Sequence, residues 1–167
     1  AFRRTYNSFS QHDYANSDGS VPSNYGDGWT NTFDAHVAYN DLNGGQGVSV
    51  FDVDGARYDY SYTCSPTCTY VPPAGQFAAL TQDGSGNFAW TKKSGTVYWF
   101  NNPNGASLGI RGRLLEIVGR NSNTYLKFAY YFDGLPGTNT TLNEIRVVPE
   151  WAGPPATATQ YVDLVFS

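Results

Sequence analysis

Methionine is absent, cysteine occurs only twice, histidine only twice, and charged residues make up just 14% of the 167-residue chain. The low charge, with Glu and Lys scarce, excludes a coiled coil. A net charge of −4 gives no basic surface for phosphates, which argues against a nucleic-acid partner. No run approaches the roughly 20 apolar residues of a membrane span. Disorder is excluded from the other side: aromatics reach 16%, with 13 Tyr, 10 Phe and 4 Trp. At this length the expectation is one β domain over residues 1–167, large enough to bury a core. The start, Ala1-Phe2-Arg3-Arg4, shows no signal peptide and reads as a processed chain or a piece of a longer one. The end, residues 161–167, reads as a strand that seeks a neighbour.

Few residues are available for chemistry. Cys64 and Cys68 enclose a short Pro-containing loop, and a disulfide is expected there if the chain is exported. A zinc site would need further ligands, and His12 and His36 lack the spacing to supply them. Neither histidine lies near a nucleophile elbow, so no hydrolase triad is expected. Asp52 and Asp54 flank a turn, where Asp bonds its own backbone, and no downstream Glu completes a calcium loop. Gly44-Gly-Gln-Gly47 lacks the Lys-Ser/Thr of a phosphate loop. No catalytic residue, metal or cofactor is expected.

What the chain does have is two-residue alternation, the period of half-buried strands, with no sustained helical period. Residues 48–53 and 56–62 flank Asp54-Gly55, read as a structural two-residue type I′ hairpin turn. Tyr58, Tyr60 and Tyr62 then share one face. Residues 87–91 and 96–100 form a second hairpin around a turn at 92–95. Residues 125–132 are apolar on both faces and belong inside a sheet. Further strands are expected at 2–6, 29–39, 76–80, 113–118, 142–148 and 159–166. With Leu and Ile scarce, Trp29, Trp90, Trp99, Phe128 and Tyr130 are expected to build the core or an interface. Trp99→Ala is expected to cost about 3–5 kcal/mol, as for a buried aromatic. One repeat is visible: Leu114-Leu-Glu-Ile117 recurs as Leu142-Asn-Glu-Ile145, and residues 126–130 match 162–166 in alternation.

An ordered set of motifs resembles the Rhs/YD-repeat family of bacterial surface proteins. These are Arg4-Thr-Tyr-Asn-Ser8, Gly26-Asp-Gly-Trp-Thr-Asn-Thr-Phe-Asp34, Asp52-Val-Asp-Gly55, and Gly95-Thr-Val-Tyr-Trp-Phe100. The YD-like unit runs from Gly112-Arg-Leu-Leu-Glu-Ile117 through Tyr130. Ser122 stands where that unit usually has Gly, and its Tyr-Asp pair is spread over Tyr131-Phe-Asp133. By this resemblance, residues 1–111 look like an opening region and 112–167 like two repeat units. It implies a hairpin-rich antiparallel sheet, spiralling or completed by neighbouring chains. It implies a non-catalytic, extracellular or cell-surface structural protein, a shell segment or self-assembling fibre subunit. Partners would be copies of itself or neighbouring segments of a longer chain, joined by strand pairing. The reading from another class is a carbohydrate-binding module with an aromatic platform.

Overall fold

The computed structural model describes residues 4–6, 29–40, 45–64, 68–105, 111–120, 125–131, 141–148 and 162–165. Every regular element among them is a strand, and every pairing is antiparallel. β1 (Arg4–Tyr6) pairs with β2 (Trp29–Asn31). A four-stranded sheet follows in chain order: β3 (His36–Asn40), β4 (Gly47–Phe51), β5 (Arg57–Cys64) and β6 (Cys68–Val71). A seven-stranded sheet continues, again in chain order. Its strands are β7 (Ala79–Gln82), β8 (Phe88–Thr91), β9 (Val97–Phe100), β10 (Leu114–Val118), β11 (Tyr125–Tyr131), β12 (Thr141–Val148) and β13 (Val162–Val165).

Within each sheet every strand therefore lies beside its sequence neighbour, as short connections favour. The expected strand at 29–39 is two strands, broken at 32–35, and the one at 76–80 starts at Ala79. β6 was not foreseen from the sequence.

The Asp54-Gly55 turn is built differently from the two-residue expectation. Pairing stops at Phe51 and Arg57, and Val53 enters the turn. Gly55 N–H donates to the Asp52 carbonyl (2.9 Å), and Asp52 N–H to the Ala56 carbonyl (2.8 Å). This is a type I turn followed by a glycine at φ 82°, the three-residue hairpin loop with a bulge. The same bonds recur at Asp83–Asn87 and Lys92–Thr96, with Gly86 and Gly95 at the positive-φ position. One turn design thus closes three hairpins, β4–β5, β7–β8 and β8–β9.

The inner faces of the two sheets pack on each other. Alternation puts Val37, Val48, Val50 and Tyr60 inward from one sheet, and Leu80, Phe88, Trp90, Phe100, Leu114 and Phe128 from the other. Trp90 is 1% exposed, and its register partners Leu80 and Tyr98 sit on the same face. Tyr60 donates its hydroxyl to the Ala78 carbonyl (2.7 Å) and accepts from Trp90 Nε1 (2.9 Å). A buried phenol is thereby satisfied while it ties the sheets together.

The sheets also meet at an edge. His36 and Arg113 form an isolated antiparallel bridge, and Val37 N–H donates to the Gly112 carbonyl (2.9 Å). Arg113 is buried beside Asp34, with Nη1 and Oδ1 3.9 Å apart. Beyond this junction the seven-stranded sheet continues through β11 to β13. Its two hairpins β10–β11 and β12–β13 follow the repeat seen in the sequence. Their registers differ by two residues: Ile117 faces Leu126, whereas Ile145 faces Leu164 rather than Val162.

Candidate functional site

The two ends of the inner faces differ in chemistry. At one end the turns after β4 and β8 face each other. Lys92 Nζ lies 3.0 and 2.9 Å from the two Asp52 carboxylate oxygens. The ammonium also sits 4.6 Å from the ring centroids of both Trp90 and Tyr98, a double cation–π contact. Burial alone would lower the Lys92 pKa, but the hydrogen bond and charge of Asp52 outweigh it and hold the ammonium above its ordinary 10.5. Tyr58 packs on Trp90, and burial followed by the charges of Asp54 and Asp52 raises its hydroxyl pKa. This end is closed by an ion pair whose partners are forty residues apart.

At the opposite end the inward side chains are uncharged. The inward positions there are Tyr39 on β3, Tyr62 on β5, Tyr70 on β6 and Gln82 on β7. Tyr70 donates to Gln82 Oε1 (3.3 Å), and Gln82 Nε2 donates to the Tyr39 hydroxyl (3.1 Å). Tyr39 and Tyr70 both meet Phe88 edge-on, with centroids 6.1 and 5.3 Å apart, and Tyr62 tilts against Tyr70 at 5.0 Å. Burial, followed by the neighbouring Tyr39 and Tyr62, pushes the Tyr70 hydroxyl up to about 12.

The residues singled out in the sequence are scattered rather than gathered. Asp54 accepts from Ala56 N–H (2.9 Å) and serves its turn, as Gly55 does. Cys64 is disulfide-bonded, and the only other cysteine, Cys68, is its register partner. Trp90 and Phe128 lie in the core. Trp99 does not: it alternates with Tyr98 and Phe100, so it is half-buried on the outer face between Ala89 and Glu116. The expected cost of removing it as a core residue is corrected accordingly. Trp29 lies on β2 and Tyr130 on β11. His36 stacks on Phe51, and its Nδ1 donates to the Asp34 carbonyl (2.9 Å). His12 lies outside the described residues. Among the described residues no three His, Cys, Asp or Glu side chains gather, and no helix is long and apolar enough to cross a membrane.

Both end clusters escaped the sequence reading. Asp52 and Lys92 read as turn residues, and the tyrosines as generic core. The signal for the tyrosine end was Gln82, a polar residue at an inward position. It became visible only once β7 was placed. Comparison with protein-family models, curated proteins and solved structures finds no match.

Proposed function

We propose that the chain is a non-catalytic structural segment of Rhs/YD type, a shell piece or self-assembling subunit of an extracellular or surface structure in a bacterium. The observation that carries this reading is the strand order. Strands β3 to β13 follow one another in space as they do in the chain, through both sheets. Such a meander grows by adding hairpins without rearranging those already present. Where β10 meets β3 through the Arg113–His36 bridge, the chain runs on into β11, β12 and β13. In this reading the junction marks the overlap at which a spiral begins, and residues 112–167 are two repeat units on an opening region of 1–111. The bonded Cys64 fits an oxidising compartment.

Among the described strands, β13 pairs with β12 alone. An edge of this kind accepts a further strand from a copy or a neighbouring segment. Light scattering and electron micrographs of the purified chain are expected to show oligomers or filaments. N–H groups of adjacent strand residues point to opposite sides, so one of Asp163→Pro and Leu164→Pro removes an N–H from the open edge, and that variant is expected to leave a folded monomer. A wild-type chain that stays monomeric across concentrations would end this reading.

A further inference from the structure

The tyrosine end of the two sheets breaks the pattern of the faces that lead to it. Midway along the strands the inward positions Val37, Val50, Leu80 and Trp90 are buried, and Val48 and Phe88, level with Tyr39 and Gln82, are buried and apolar as well. One step further along β3, β5, β6 and β7 the inward positions become Tyr39, Tyr62, Tyr70 and Gln82. Breaks of this kind in an otherwise consistent pattern mark functional positions. At the opposite end the polar groups form a charged pair, Lys92 on both carboxylate oxygens of Asp52. At the tyrosine end the hydroxyls of Tyr39 and Tyr70 converge on one exposed amide, Gln82.

We propose that this cluster of Tyr39, Tyr62, Tyr70 and Gln82 is a binding subsite for a neutral saccharide. Three features fit that ligand class. The rings are held in place by Phe88 and by each other, so their faces and hydroxyls are presented with little conformational entropy left to lose. The groups offered are phenols and an amide, which donate and accept as sugar hydroxyls do. The four side chains are uncharged, and the neighbouring carboxylate of Asp83 is engaged by its own turn, accepting from Ser85 N–H (2.8 Å), Asn87 N–H (2.9 Å) and Asn87 Nδ2 (3.0 Å). Ligand sites combine apolar side chains with a few convergent polar groups, as this cluster does. The inference stands apart from strand assembly, because the cluster lies on β3, β5, β6 and β7, away from β13.

The test is an NMR titration of the whole chain with cellohexaose, laminarihexaose, xylohexaose and mannohexaose, with a heparin hexasaccharide as the charged control. At least one neutral hexaose is expected to shift the signals of Tyr39, Tyr62, Tyr70 and Gln82 and leave Asp52 and Lys92 unmoved. The Tyr39→Phe/Tyr62→Phe double variant keeps the rings and is expected to weaken binding about tenfold. The proposal is overturned if no neutral hexaose moves these signals at millimolar concentration. It is equally overturned if the shifts centre on Trp99, Glu116 and Lys127, or if only the heparin fragment binds. Light scattering on the same samples reads assembly separately, so failure of one reading is distinguishable from failure of the other.

Discussion

Tyr60 shows how much one hydroxyl can do inside a small core. It accepts from Trp90 Nε1 and donates to the Ala78 carbonyl, so two groups on buried residues depend on it. Tyr60→Phe keeps the ring and removes both bonds. It is expected to cost about 1–3 kcal/mol in chemical denaturation, because the orphaned N–H and C=O stay buried. The ionisable residues around the core predict a pH limit as well. Lys92, Tyr58, Tyr60 and Tyr70 all have raised pKa values in the folded chain. Above the ordinary values the folded state therefore holds more protons than the unfolded one, and stability falls as pH rises. For Tyr70 that window runs from 10.0 to about 12. Thermal unfolding measured across this range is expected to show a steady loss of melting temperature, with tyrosinate absorbance lagging that of free tyrosine until the chain unfolds. A melting temperature unchanged through the window would contradict it.

At the scale of the strand, the junction between the sheets rests on a glycine. Gly112 has φ +65°, and a Cβ there would run into the Val37 carbonyl oxygen. The same glycine's carbonyl receives the Val37 N–H. Gly112→Ala therefore strains the backbone and pushes β3 away, and it is expected to cost more than about 1–3 kcal/mol, the range for backbone strain alone. Gly75→Ala shares the positive φ but meets open space, so denaturation of the two variants separates contact from conformation. Two tryptophans give a second comparison. Trp90→Ala empties a core position and is expected to cost about 3–5 kcal/mol. Trp99→Ala uncovers part of an outer face and is expected to cost about 1 kcal/mol. Alternation alone showed that Trp99 and Tyr98 face opposite ways. It did not show which way was in, because that depends on what the neighbouring strands pair with. The hairpin of β8 and β9 was legible nearly to the residue. The Asp54-Gly55 turn was misread for a similar reason: the dipeptide is a local signal, whereas the loop length was set by where Phe51 and Arg57 pair.

Over the whole molecule, the all-β antiparallel class was legible because the period of two ran from end to end. The pairing of Asp52 with Lys92, and of Tyr39 with Gln82, was not. Each joins residues about forty positions apart, and their strands do not neighbour one another in any sheet. The distribution of the core yields a last prediction. One described cluster of buried side chains is filled from both sheets, from Ala35 to Phe128 on β11. In the sheet order β12 and β13 follow β11. If the chain grows hairpin by hairpin, as the structural reading has it, a chain cut to residues 29–131 is expected to unfold cooperatively, with a melting temperature within about 5 °C of the full chain, the shift that roughly 1 kcal/mol gives at this size. If that fragment is unfolded, the last hairpin is part of the core rather than an addition to it. The hairpin-by-hairpin growth on which the structural reading depends would then be lost.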